Sequence, residues 1–153
     1  MKIIMSIIAT LVMFSNQMSS QEVISIDEIK PKMLESAIEL GRDFNFNLDF
    51  SDNSIKDVEN ILNEIHEEYK KTKNEEGLRG IAIIFSFYIV AVIEKNHGKG
   101  KFEKDHESIG ENSFPFFWNG KTIFPFGWCL KRIFDGEGDN IELKYRMLIL
   151  NEK

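Results

Sequence analysis

The side chains best equipped for chemistry in this 153-residue sequence are three histidines and one cysteine. His97 and His106 bracket Glu103 and Asp105, and two imidazoles with a carboxylate make a zinc donor set. No two histidines have the four-residue helical spacing that puts both rings on one face. Cys129 follows Gly127 and Trp128. A helix start there would lower the thiol pKa, with His97 or His106 as the base. Each has a plainer reading. His66 sits among Glu64, Glu67 and Glu68 on a solvated face, His97 and His106 flank a turn, and Cys129 is a structural thiol between Trp128 and Leu130. The sequence has no GxSxG, and Gly98-Lys99-Gly100-Lys101 lacks the Ser or Thr of a phosphate loop. It therefore predicts no catalytic residue, no metal site and no cofactor.

The carboxylates read the same way. Glu64, Glu67, Glu68, Glu75 and Glu76 alternate with Lys70, Lys71 and Lys73, the pattern of a solvated helix rather than of an acid pair across a cleft. Glu137-Gly138-Asp139-Asn140 is too short for a calcium loop. What remains is aromatic. Eight of the 18 aromatic residues fall between Phe114 and Phe134, with Lys121, Lys131 and Arg132 among them. Trp118, Lys121, Trp128 and Arg132 form a candidate binding patch, with the tryptophans as anchors for a protein or stacking platforms for a sugar. The competing reading is that both tryptophans build the core of a small sheet.

These residues need a scaffold. Asp27 can cap a helix over about 27–43, with Ile29, Met33, Ala37 and Leu40 on one stripe. A second helix over 54–73, capped by Asp52 or Ser54, carries Ile55, Val58, Ile61, Leu62, Ile65 and Tyr69 inward. The third, 76–97, is apolar from Ile81 to Ile93 apart from Ser86 and Tyr88. Thirteen residues rise about 20 Å, short of the ~30 Å of membrane hydrocarbon, so this is a buried central helix. Asn119-Gly120 between two apolar runs predicts a tight hairpin with Trp118 opposite Lys121 and Phe116 opposite Ile123. Its strands cover about 113–118 and 121–126, and both faces are apolar, so cover is expected on both sides. A strand at 101–105, a short helix at 127–135 and a strand at 141–150 complete the expectation. That last strand rests on alternation of Ile141, Leu143, Tyr145, Met147 and Ile149 with Glu142, Lys144 and Arg146. Helices followed by strands give an α+β fold, with the N-terminal helices packed on a small antiparallel sheet.

Composition bounds the function. The chain is 42% hydrophobic and 29% charged, sufficient for one folded domain. A formal charge of −6 disfavours nucleic acid, which demands a basic face. A single cysteine excludes an internal disulfide. Met1–Ser20 has one charge, Lys2, then an apolar run from Ile3 to Phe14 and a polar end, the pattern of a secretory signal peptide. The expectation is a leader over 1–20 and one domain over 21–153, exported to a periplasm or the exterior. No membrane span is expected after cleavage.

Three segments together resemble a small bacterial domain family of unknown function. They are Ile93-Glu94-Lys95-Asn96-His97-Gly98 with Gly100-Lys101-Phe102-Glu103; Asn119-Gly120-Lys121-Thr122-Ile123-Phe124-Pro125; and Lys131-Arg132-Ile133-Phe134-Asp135-Gly136-Glu137 with Asp139-Asn140-Ile141. The resemblance spans about residues 54–150. It implies the fold and brings no activity. The expected function is that of a non-catalytic exported domain that binds another protein. Two alternatives stand beside it: an immunity-type protein whose acidic face masks a toxin, and a hydrolase built on Cys129.

Overall fold

The computed structural model describes residues 25–151, and the expected leader lies outside them. The fold is α+β. Helix α1 (Ile26–Asp43), α2 (Ser54–Thr72) and α3 (Leu78–His97) precede strands β1 (Lys101–Phe102), β2 (Phe116–Trp118) and β3 (Lys121–Ile123). Helix α4 (Pro125–Asp135), a 3-10 turn (Glu137–Asp139) and helix α5 (Ile141–Leu148) follow.

Helix α3 is the centre. A helix apolar on every side must be surrounded, and Phe85, Phe87, Tyr88, Ile89, Val92 and Ile93 are all buried. Helices α1 and α4 pack on it, while α2 packs on α4 and α5. Among the described residues no helix is long and apolar enough to cross a membrane. Gly98, at φ 100°, ends α3 in a backbone region that L side chains avoid.

The caps differ from expectation. Ser25, rather than Asp27, caps α1: its hydroxyl accepts from the Glu28 N–H at 3.3 Å, and the Glu28 carboxylate accepts from the Ser25 N–H at 3.2 Å. Neither Asp52 nor Ser54 caps α2, whose flanking residue Asn53 makes no side-chain cap bond. Asp52 and Ser54 point to other partners, described below.

The sheet has order β1-β2-β3, antiparallel throughout. Phe116 faces Ile123 and Trp118 faces Lys121, the register expected from the hairpin. Asn119 and Gly120 sit at φ 48° and 71°, and a two-residue turn whose twist matches the strands needs both positive. The strands are shorter than expected. Pro125 starts α4, and this ends β3 at Ile123. Cover is one-sided: Phe114, Phe116, Trp118 and Ile123 are buried, whereas Phe117 is half-buried and Phe124 exposed.

The strand expected over 141–150 is a helix, α5. Alternation puts Ile141, Leu143, Tyr145, Met147 and Ile149 on one face of a strand. In a helix the four-residue spacing divides them, so Ile141, Tyr145 and Ile149 are buried and Leu143 and Met147 are exposed. Two caps hold the segment as a helix, one from a sequence neighbour and one from α2. The Asn140 side chain accepts from the Leu143 N–H at 2.8 Å, and Glu59 Oε2 accepts from the Ile141 N–H at 2.7 Å.

Candidate functional site

The densest meeting of polar side chains lies where the start of α2, the end of α3 and the middle of α5 converge. Asp52 Oδ1 accepts from the Tyr145 hydroxyl at 2.5 Å and pairs with His97 Nε2 at 2.8 Å. Burial, and then the Asp52 carboxylate, push the Tyr145 hydroxyl above the ordinary tyrosine range, so it remains a proton donor. Next to it, Ser54 Oγ donates to the Ser51 carbonyl at 2.6 Å and lies 2.7 Å from the Tyr88 hydroxyl. Ser54 has one proton and spends it on Ser51, so Tyr88 donates to Ser54. The Tyr88 oxygen in turn accepts from the Phe50 N–H at 2.9 Å. Asn96 Nδ2 donates to the Phe50 carbonyl at 2.9 Å. The Trp118 indole N–H reaches the His97 carbonyl at 3.3 Å.

A His–Asp pair can move protons when its free side meets a nucleophile or substrate. Here the neighbouring hydroxyls are already committed. Tyr145 is bound to Asp52, while Ser54 and Tyr88 are bound to each other and to the backbone. The geometry is that of a latch fastening the 44–53 connector and α5 onto the end of α3.

The other chemistry-bearing residues are dispersed. Cys129 is fully buried, and burial pushes its thiol far above the ordinary range, the reverse of what a nucleophile requires. The His106 ring lies tilted against Phe117, with ring centroids 5.0 Å apart, and its Nε2 is 3.5 Å from Glu103. His66 is half-buried rather than exposed, its Nδ1 2.8 Å from the Ile133 carbonyl. The ring lies against Gly136, where an added Cβ would come within 2.6 Å of His66 Nε2. Among the described residues no group of three or more His, Cys, Asp or Glu side chains could hold a metal ion.

The candidate patch of Trp118, Lys121, Trp128 and Arg132 is not one surface. Trp118 is 7% exposed and Arg132 1%. Arg132 faces inward: its Nε donates to Glu59 Oε1 at 2.6 Å and its Nη2 to Asn63 Oδ1 at 2.7 Å. A guanidinium that far from water needs a paired carboxylate, and Glu59 provides it while also holding α5. Trp128 is half-buried. Lys121 is exposed, and its Nζ donates to the Leu148 carbonyl at 3.2 Å, joining the hairpin to the end of α5. The sequence did contain one signal of the pair: Glu59 interrupts the apolar stripe of α2 between Val58 and Leu62. Its partner, 73 residues away, could not be read from spacing.

Exposed apolar side chains gather elsewhere. Leu143, Met147 and Leu148 on α5 are exposed, and Leu143 borders a shallow groove with Glu137, Asn140, Glu142 and Arg146. Comparison with known proteins finds no matching family, no matching curated protein and no matching solved structure.

Proposed function

We propose that this chain is a non-catalytic domain, exported across a membrane, that acts by contacting protein through the outer face of α5. One observation carries the reading. The polar groups able to do chemistry are engaged in holding the fold, while Leu143 and Met147 project from a firmly anchored helix with more than half of their surface exposed. A rigid element presenting apolar side chains is the physical form of a contact site. Export is supported by the Met1–Ser20 pattern of one lysine, an apolar run and a polar end. The acidic charge weighs against a nucleic-acid partner. The resemblance over 54–150 to a bacterial domain family of unknown function supports the architecture and supplies no activity.

The test is a photo-crosslinking residue at position 147, introduced in the cell that makes the protein. A discrete adduct, lost on adding Leu143→Glu, is the expected result; no adduct of any mass sinks the reading. N-terminal sequencing of the isolated chain tests export, which predicts a start near residue 21. An immunity-type role would place the contact on Glu64, Glu67 and Glu68 of α2; a probe at position 147 would then give no adduct, and a probe at position 68 would give one that charge reversal at Glu64 and Glu67 abolishes. Glu67 already binds Lys70 at 3.2 Å on the same helix, which blunts that face.

A further inference from the structure

The connector between α1 and α2 is gripped by the end of α3. Lys95, Asn96 and His97 are consecutive in the last turn of that helix, and each takes a different residue of the connector. Lys95 Nζ donates to the Asp49 carbonyl at 3.2 Å and Asn96 Nδ2 to the Phe50 carbonyl at 2.9 Å, while His97 Nε2 pairs with Asp52 Oδ1 at 2.8 Å. Earlier on the same helix, the Tyr88 hydroxyl accepts from the Phe50 N–H at 2.9 Å, and the two rings lie 4.9 Å apart. Both backbone polar groups of Phe50 are thus tied to α3 side chains. Phe50 also sits at φ 61°, a left-handed conformation that strains an L residue bearing a bulky side chain. Such strain persists only where the surroundings over-determine it. Two residues on, Asp52 carries the grip further, because the oxygen that meets His97 also accepts from the Tyr145 hydroxyl of α5.

We propose that residues 47–53 are a strained strap that opens as one unit while the helical body stays folded, lifting Leu48 from Gly41 and Phe50 from the Tyr88 ring and letting go of Tyr145. Within the strap only Leu48 is buried, and it lies where a side chain on Gly41 would go. Opening therefore gives up little apolar burial and relieves the Phe50 backbone, which sets its free energy below that of global unfolding. Polar ties oppose it, and the decisive one is shared. A single carboxylate oxygen of Asp52 holds the end of α3 and the inner side of α5, so the strap and α5 are physically coupled through it. Whatever draws Phe50 or Asp52 off α3 also removes the partner of Tyr145. The closed strap is the populated state, in which α5 keeps its anchors, so this inference stands on the fold and is independent of the contact reading.

Native-state hydrogen exchange on the chain as isolated from its cell reads this at the Phe50 N–H and at the core amides of α3. The Phe50 N–H should be protected, yet at least about tenfold less than the Phe85 and Ile89 amides, and should respond more weakly to added denaturant, the mark of a sub-global opening. Ile81→Val, at the far end of α3, should speed the core amides by roughly threefold to tenfold and leave Phe50 unchanged, because that packing survives when the strap opens. Tyr145→Phe should speed exchange at Phe50 about tenfold, the worth of a hydrogen bond to a charged acceptor. Asn96→Ala, which frees the Phe50 carbonyl, should speed it about fivefold. A Phe50 amide that exchanges in step with the α3 core denies a separate unit, and one with no protection denies the closed strap. Either overturns the inference. So does a Phe50 amide indifferent to Tyr145→Phe, which would leave the strap and α5 uncoupled.

Discussion

Helices α3 and α5 both carry apolar residues on more than one side, and the fold treats them oppositely. Helix α3 is covered nearly all round: α1 and α4 lie against it, Phe85, Phe87 and Ile89 have no contact with water, and within the run Ile81–Ile93 only Ile83 and Ala91 are half-buried. Helix α5 is covered on its inner side alone, and two polar staples hold it there. Glu59 takes its first N–H, and Asp52 takes the Tyr145 hydroxyl. Apolar excess in the middle of a chain, on a long helix, makes an interior. On a short helix fixed by hydrogen bonds along one side, the same excess leaves apolar side chains on the surface.

Substitutions can push that contrast from either end. The largest effects belong to the interior. Phe85→Ala should cost about 3–5 kcal/mol in denaturant unfolding, through lost burial and the cavity left inside α3's packing. Glu59→Ala should match it at about 3–5 kcal/mol, because it strands the buried Arg132 guanidinium and uncaps α5 together. If Glu59→Ala costs under about 1 kcal/mol, the pair does not hold α5.

Smaller effects lie at the junctions. Gly136 sits at φ 91°, with His66 where a Cβ would go. Gly136→Ala should therefore cost about 2 kcal/mol, from left-handed backbone strain and displacement of the ring. Tyr145→Phe should cost about 1.5 kcal/mol at neutral pH, the worth of a hydrogen bond to a charged acceptor. Its pH dependence has a definite sign. The Tyr145 hydroxyl is raised by burial and by Asp52, so its contribution is complete below the unfolded tyrosine pKa of about 10. It is lost as pH climbs above that value, because the unfolded chain then ionises first. Unfolding titrations between neutral and strongly alkaline pH should fall less steeply in Tyr145→Phe than in the wild type.

The contrast also marks where sequence reading succeeds. Two local signals held although the expected caps did not: Asn119-Gly120 fixed the hairpin register, and the run Ile81–Ile93, broken only by Ser86 and Tyr88, announced the central helix. Both depend on neighbours in sequence. The 141–149 segment failed because its apolar residues satisfy period two, and its helical periodicity appears only once Leu143 and Met147 are known to face outward. What decides is a carboxylate from α2, 82 residues away, sitting on the Ile141 N–H. The candidate patch failed for the same reason. Trp118 and Arg132 look like surface anchors beside Lys121, until the carbonyl of His97 and the carboxylate of Glu59 draw them inward. The Asp52–His97–Tyr145 latch joins three elements across 93 residues, and its members carry no shared motif.

The division of labour within α5 rests on its outer side chains being superfluous to folding. The direct measurement is the unfolding free energy of the Leu143→Glu, Met147→Glu double variant in dilute solution, where chains do not meet. The account predicts a value within about 0.5 kcal/mol of wild type, as for exposed surface positions outside the core. A loss above about 2 kcal/mol would mean that these side chains belong to the interior, and the contact face would not exist.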